Sequence, residues 1–511
     1  MRQIGFNNFR KFQSFPPIDL SPISIFVGEN NAGKSTVVKA ILALLDFLNS
    51  RFFEIDRHKD EKAILEHQFY FNRSYFAHIG TFKRALYNKA EGNCISFTIT
   101  LDDYRIDVEV SGDNKDEEAI SGRITKMTIL MLLYNVELTF DFLKDNIHAV
   151  FHHEPSPMYI PDGEEFGFRI YGEREFKSKD YFKSFSSDVI MDVPITGQTG
   201  MIGGPLIGIL MDRFTSKIET IAYPEEMQRR AKARKRELKP IEGLSEEALS
   251  FINSHKEFLC HGSFRWPLMR FYDVSDSEVE YIYAHAVTQT VIYSAKDTND
   301  YFVKTIHEFA NQRVGKTSKI HGFITKWMQE FNIGVDYEIN SVGGEAHIVK
   351  IVSKDGEKVN LADKGMGSIQ LMILLFRLAT KMSELRLGLR NSRNGTTIIV
   401  EEPEQNLHPM LQSKLADLFY TLNQEYGFKF IIETHSEYLI RKTQVIVGNN
   451  YKTEVDLKKN PFKVYYFPAD GIPYDMGYTT SGLFKEKFGD GFINEAGRLH
   501  MTVLKNSKNS E

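Results

Sequence analysis

Gly28-Glu29-Asn30-Asn31-Ala32-Gly33-Lys34-Ser35 fits the spacing G-x-x-x-x-G-K-[ST] of a phosphate-binding loop. Its flanks fit as well. Ile23-Ser24-Ile25-Phe26-Val27 reads as a buried strand, and Thr36–Leu45 reads as a helix. Glycines allow backbone N–H groups to close around phosphate oxygens at a helix N-terminus, where the helix dipole favours negative charge. Gly28, Asn30, Asn31, Ala32, Gly33, Lys34, Ser35 and the following Thr36 are therefore candidate nucleotide ligands. Lys34 would reach the β- and γ-phosphates, and Ser35 would sit on Mg²⁺. A Gly-rich strand-to-helix turn without nucleotide is the plainer reading of the same residues.

A second landmark lies far downstream. Thr396-Thr397-Ile398-Ile399-Val400 is an apolar, β-branched run ending in Glu401-Glu402-Pro403-Glu404. A buried strand is apolar until its last residue, where a carboxylate can meet a metal shell. Glu401 suits that position, and Glu402 is placed to orient or deprotonate an attacking water. Phe430-Ile431-Ile432-Glu433 is another apolar strand, followed by Thr434-His435-Ser436. His435 reads either as a sensor of a γ-phosphate or as a local hydrogen-bonding residue.

Asp363-Lys364-Gly365-Met366-Gly367-Ser368-Ile369-Gln370 precedes an apolar helix. Gly365, Gly367 and Ser368 read as a second anion site at a helix N-terminus, acting on the nucleotide of another subunit, or as an ordinary flexible N-cap. Gln405-Asn406-Leu407-His408-Pro409 places Pro409 at the first position of the next helix. That stretch reads equally as a loop-to-helix transition or as a subunit-communication element.

Composition bounds the rest. The chain has 511 residues, 42% hydrophobic and 26% charged, which is ordinary for a soluble globular protein of two or three lobes. There is no apolar run near roughly 18 residues and no signal-peptide core, and Cys94 and Cys260 make neither a disulfide framework nor a zinc site. The expectation is a cytoplasmic protein with no membrane partner. A net charge of −5 argues against a basic coat for nucleic acid. One local strip remains: Arg229, Arg230, Lys232, Arg234, Lys235, Arg236 and Lys239. It reads as a solvated helix or loop, a phosphate-backbone contact, or a protein interface.

The expected division is 1–165, holding the loop and a β-rich flank; 166–320, a compact helical insertion for dimerisation or for partner or DNA contact; and 321–511, carrying the remaining motifs. Met1–Phe15 reads as a hairpin, with strands at Asn93–Leu101, Tyr104–Val110 and along Lys126–Phe140. Leu210–Tyr223, Pro224–Lys239, Leu244–Cys260 and Asp300–Ala310 read as helices. The third part alternates strand and helix as a parallel βαβ arrangement does.

The order of these motifs resembles that of ABC-type ATPases. Glu401-Glu402-Pro403-Glu404 with Leu407-His408-Pro409 resembles the RecF/SMC-related branch that includes the OLD-family ATPases. Phe6-Asn7-Asn8-Phe9-Arg10 is similar to that branch's opening strand and turn, and His78-Ile79-Gly80-Thr81-Phe82 to a segment after its first helix. Gly477–Ala496 is similar to tails of ATPases from bacterial anti-phage defence loci: Septu-type, retron-associated and PARIS-type. The resemblance implies an α/β ABC-ATPase P-loop fold with ATP and Mg²⁺ as cofactors. It implies that Lys34 and Ser35 hold phosphate and metal, that Glu401 completes the metal shell, that Glu402 polarises water and that His435 senses the γ-phosphate. Gly365, Gly367 and Ser368 would complete a partner copy's site in a head-to-tail dimer or higher homo-oligomer, and Arg10 would lie near the nucleotide. Lys364 and Met366 depart from the family signature Leu-Ser-Gly-Gly-Gln. After His435 there is no Asp-x-Asp cluster, so no nuclease is expected in this chain. Cutting would fall to an effector protein, a nuclease or toxin, from the same operon. DNA is a further candidate partner.

Overall fold

Two compact units share the chain discontinuously: Met1–Asp19 with Thr36–Asp276, and Leu20–Ser35 with Ser277–Glu511. The computed structural model describes residues 2–49, 51–52, 54–55, 63–65, 68–72, 79–101, 104–132, 136–142, 146–153, 167–170, 174–177, 189–194, 196–197, 204–205, 218–233, 246–254, 279–283, 301–342, 346–386, 396–489, 492 and 495–508.

The first unit is built on an antiparallel sheet. Gln3–Phe9 and Phe12–Asp19 form the expected hairpin, with Arg10 at φ 52° in its turn. Gln3–Phe9 pairs on its other side with Cys94–Thr100. Beyond that strand, Tyr104–Ser111, Ser121–Met131, Val136–Asp141, Asn146–His153 and Val189–Pro194 follow in spatial order. Cys94–Thr100 and Tyr104–Ser111 alternate buried and more exposed positions, which is the period of a half-buried strand. The pattern along Lys126–Phe140 resolves into two paired strands, Ser121–Met131 and Val136–Asp141. The core is aromatic. Phe6 stacks on Phe15 with ring centroids 4.5 Å apart, and Phe69 stacks on Phe97 at 5.3 Å. Between 166 and 320 the described residues contain the expected helices, Pro224–Ala233, Glu246–Ser254 and Tyr301–Asn311. They also contain strands, and Val189–Pro194 extends the antiparallel sheet by pairing with Asn146–His153.

The second unit holds a parallel sheet in the order Val279–Tyr283, Thr397–Glu401, Lys429–Glu433, Ile23–Gly28, Phe462–Phe467, with Tyr474–Asp475 antiparallel at one edge. Ile25, Phe26, Val27, Ile398, Ile399, Phe430, Ile432 and Val464 are almost wholly buried. Parallel strands covered on both faces lose polar alternation, which is why these segments read as continuous apolar runs. Pro409–Tyr426 links Thr397–Glu401 to Lys429–Glu433 as a parallel crossover. His408 caps that helix by accepting a hydrogen bond from the Met410 N–H, Pro409 stands in its first turn, and Gly427 ends it at φ 70°. Met366–Arg386 is apolar around most of its circumference: Leu371, Met372, Leu375, Phe376, Leu378 and Ala379 are all buried. It packs on Tyr301–Asn311 and Lys319–Glu330, with Phe309 stacked on Phe376 at 4.6 Å. Among the described residues no helix is long and apolar enough to cross a membrane.

Candidate functional site

Strand register brings the chemistry to one edge. Glu401 pairs with Glu433, Glu433 with Phe26, and Gly28 with Phe467, so the C-terminal ends of four parallel strands lie side by side. Ligands of open α/β sheets sit outside such ends. The loop from Gly28 to Ser35 leaves one of them and runs into the helix Lys34–Asn49. Gly28 (φ 143°), Asn31 (φ 59°) and Gly33 (φ 104°) give the chain left-handed corners that turn it sharply. Asn30 and Asn31 are exposed, Ala32 is buried, and Thr36 lies buried in the first helical turn.

Lys34 is 3% exposed and its Nζ donates to the carbonyls of Glu29 (2.8 Å) and Gly28 (3.2 Å). The ammonium is thus folded back over the loop it closes. The Ser35 hydroxyl donates to Oε1 of Glu433 at 2.8 Å. Glu433 was not a candidate from the sequence, where it reads as the last residue of an apolar strand. The signal was available: a carboxylate closes this strand just as Glu401 closes its neighbour.

The buried Glu433 carboxylate and the half-buried Glu401 beside it repel. Burial and then the Glu401 charge push the Glu433 carboxyl up to about 7, against the pull of the Ser35 hydroxyl and Lys34. Burial also raises Glu404, which accepts from the His435 N–H at 2.6 Å. The sign of the pH effect follows. A carboxyl raised in the fold contributes stability that is present below its unfolded value and lost as pH rises through its folded value. Metal- and nucleotide-free protein should therefore lose thermal stability between about pH 4.5 and about pH 7, and Glu433→Gln should flatten that slope. Equal slopes for both proteins in a thermal melt series would contradict the assignment.

Glu402 begins the turn that follows its strand. Its backbone takes φ 46°, an uncommon state for a side-chain-bearing residue, and its N–H donates to the Glu433 carbonyl at 2.7 Å. Gln405 donates to its Oε2, and Oε1 lies 3.8 Å from Nε2 of His435. His435 is about one-third exposed on a rigid turn. Thr434 N–H donates to Phe26 O, and Ser436 caps the helix Glu437–Asn450 while donating to Gln412. Partial burial and then Lys34 lower the imidazole below its usual range, while Glu402 pulls the other way. The expected neighbours Lys34, Ser35, Glu401, Glu402 and His435 thus belong to one strand-end cluster.

Gly365, Gly367 and Ser368 stand at the start of Met366–Arg386, where Ser368 N–H donates to Gly365 O at 2.9 Å. Gly367 has a packing role within the chain. A Cβ there would meet Asn406 O at 2.5 Å and Leu407 Cδ2 at 3.0 Å, whereas one on Gly365 meets nothing within 4 Å. Gln370 accepts from Asn406 at 3.1 Å in the same contact. Gly367→Ala should cost about 1–3 kcal/mol or displace the Glu402–Leu407 turn. Gly365→Ala should leave the melting temperature unchanged, and equal melting temperatures for the two variants would refute the packing argument. Arg10 belongs to the first unit; its N–H donates to Ala85 O, and burial followed by Arg84 lowers its guanidinium below the usual range. Of the basic strip, Arg229, Arg230 and Lys232 are exposed on Pro224–Ala233. Arg234, Lys235, Arg236 and Lys239 lie outside the described residues, as do His78, Asp490 and Gly491.

The donor set suits a hard divalent cation. Ser35 Oγ, the Glu401 carboxylate and Glu433 are all oxygen donors, and among the described residues Oε2 of the buried Glu433 has no hydrogen-bond partner. No group of three or more His, Cys, Asp or Glu side chains among the described residues is placed to hold a metal by itself.

A family model described as an AAA ATPase domain matches residues 1–195 and 210–440. No curated protein matches the chain. Solved structures that resemble it, each at 10% identity, include an SmcHead bound to the C-winged helix domain of ScpA, with TM-score 0.39, covering 94% of this chain and 98% of that one. An SMC head domain from Thermotoga maritima gives TM-score 0.30 and covers 94% and 100%. An Smc head domain with an extended coiled coil, bound to the C-terminal domain of ScpA derived from Pyrococcus furiosus, gives 0.34 and covers 98% of each. The matched residues make up more than half of the chain and include Gly28–Ser35, Glu401-Glu402 and His435: the chain belongs to the AAA ATPase domain family.

Proposed function

We propose that this chain binds ATP with Mg²⁺ and hydrolyses it at a site completed by a second copy of itself, as ABC-type ATPases do. The observation that carries the reading is the Ser35–Glu433 hydrogen bond at the register-matched ends of the Glu401 and Glu433 strands. It sets the loop hydroxyl among carboxylates where a phosphate-bound cation would lie. Lys34 exchanges its two loop carbonyls for β- and γ-phosphate oxygens. Ser35 and Glu401 hold the metal, which supplies positive charge to the phosphates when bound. Glu402 takes the water proton, and His435, beside it, reads the terminal phosphate. Gly28, Asn30, Asn31, Ala32, Gly33 and Thr36 wrap the phosphates. Gly365, Gly367 and Ser368 present a helix N-terminus to the partner copy's nucleotide.

The nucleotide cycle gates a partner effector, a nuclease or toxin of the same operon, in cytoplasmic defence against phage. This part is supported by family resemblance alone, chiefly that of Gly477–Ala496. Segment 166–320 is assigned to dimerisation or to partner or DNA contact. A second reading, a DNA-binding maintenance ATPase, is favoured by the exposed Arg229, Arg230 and Lys232; it requires DNA affinity that falls steeply with salt. Purifying the protein from its native operon with ATP and Mg²⁺, then weighing and identifying what co-elutes, separates the two. A second subunit with nuclease or toxin chemistry is expected. A lone homodimer carrying nucleic acid would overturn the effector reading in favour of the DNA one.

A further inference from the structure

Glu433 sits where an anion is hard to accommodate. It is 4% exposed, it ends an otherwise apolar strand, and its register partner is another glutamate. One oxygen has a purpose already visible: Oε1 accepts the Ser35 hydroxyl. The other, Oε2, has no hydrogen-bond partner among the described residues. A buried carboxylate oxygen left unpaired is costly, and a second carboxylate beside it raises the cost. A strand end that needed only an acceptor for Ser35 would be served by a neutral amide or hydroxyl. Lys34 already acts on Glu433 as one positive charge, but Oε2 is left without a hydrogen-bond partner among the described residues, a place for a cation that arrives with the nucleotide.

We propose that Glu433 supplies a second carboxylate to the divalent-cation site, alongside Glu401, and orients Ser35 within it. This rests on the Mg²⁺–nucleotide reading above. By accepting the hydroxyl proton, Glu433 leaves the lone pairs of Ser35 Oγ directed away from itself and available to the cation. By contributing charge when the cation is bound, it balances the metal beside Glu401. The sequence pattern thus carries three carboxylates on two neighbouring strand ends with separate tasks: Glu401 and Glu433 for the metal, Glu402 for water.

The consequence has a sign that distinguishes charge from shape. Glu433→Gln keeps an oxygen acceptor for Ser35 and nearly the same volume, but removes the charge. In EDTA a negative group beside the phosphates opposes binding, so the variant should bind a fluorescent ATP analogue as tightly as wild type or more tightly. In a MgCl₂ titration with the same analogue on the full chain, the Mg²⁺ concentration for half-maximal binding should rise by about 10–100-fold. Mn²⁺ binding followed by paramagnetic resonance, at fixed analogue, should weaken by a similar factor. Ser35→Ala should raise the Mg²⁺ requirement too, and the double variant should lose less than the product of the single effects, because the two groups act on one ion.

An unchanged Mg²⁺ requirement in Glu433→Gln would overturn the proposal. So would an equal loss in EDTA and in Mg²⁺, which marks a purely structural role. Glu433→Asp guards against a folding failure: it keeps the charge and should hold the Mg²⁺ requirement closer to wild type than Gln does, and the reverse order would count against the assignment. Wild-type protein that binds no analogue in Mg²⁺ would instead defeat the nucleotide reading itself.

Discussion

Glu402→Gln is expected to lower ATP turnover by roughly 10²–10⁴-fold while leaving nucleotide affinity within a few-fold of wild type. The residue follows directly on Glu401, holds an unusual left-handed backbone, and is tethered by its N–H to Glu433 O and by Gln405 on Oε2, with His435 Nε2 3.8 Å from Oε1. Backbone strain of this kind persists where surrounding bonds over-determine it. Here those bonds aim one carboxylate beside the strand-end cluster. The amide keeps Gln405 and the turn in place but cannot take a proton from water. The variant should therefore accumulate in its ATP-bound form, with increased mass if two copies complete the site. Turnover matching wild type in Glu402→Gln would mean that Glu402 is not the base. A wild-type rate already as low as the variant's would mean a nucleotide-binding scaffold instead of an active ATPase.

Gly28→Ala is the substitution with the largest expected structural effect. At φ 143°, Gly28 lies in a region that side-chain-bearing residues rarely adopt. The neighbouring strand is also too close: a Cβ would stand 2.1 Å from the carbonyl oxygen of Phe467 and 2.8 Å from its nitrogen. Phe467 O is not free to move, because it accepts the Glu29 N–H at 3.2 Å and so anchors the loop's first turn. Relief must come from separating the Ile23–Gly28 and Phe462–Phe467 strands at their catalytic ends. We expect a loss of roughly 2–5 kcal/mol and loss of nucleotide binding in the molecules that remain folded. Thermal melts and analogue titration of the variant test both halves. Wild-type values in both would contradict the close approach.

The two predictions draw on different levels of legibility. The phosphate loop, the Glu401-Glu402 pair and the Thr434-His435-Ser436 turn could be read from sequence because each is a local pattern: an apolar run, then a polar group at a fixed offset. Parallel strands buried on both faces sharpen that signal, since the first polar residue marks the strand end. Pro409 announced a helix start for an equally local reason. Glu433 was missed because its meaning is non-local. It depends on the Glu401–Glu433 register and on a hydroxyl 398 positions away along the chain. Gly367 was read as a feature of its own helix, but its tightest constraint is Asn406 O. Val189–Pro194 escaped for the same reason as Glu433: a short strand gains its stability from the partner it meets, not from its own alternation.

The measurement that bears most directly on the central claim is ATP hydrolysis by the purified chain across a Mg²⁺ titration, with Lys34→Ala beside it. The account predicts turnover that requires Mg²⁺, vanishes in EDTA and is abolished with Lys34. Hydrolysis indifferent to Mg²⁺ or to Lys34, or no nucleotide binding at any Mg²⁺ concentration, would contradict it.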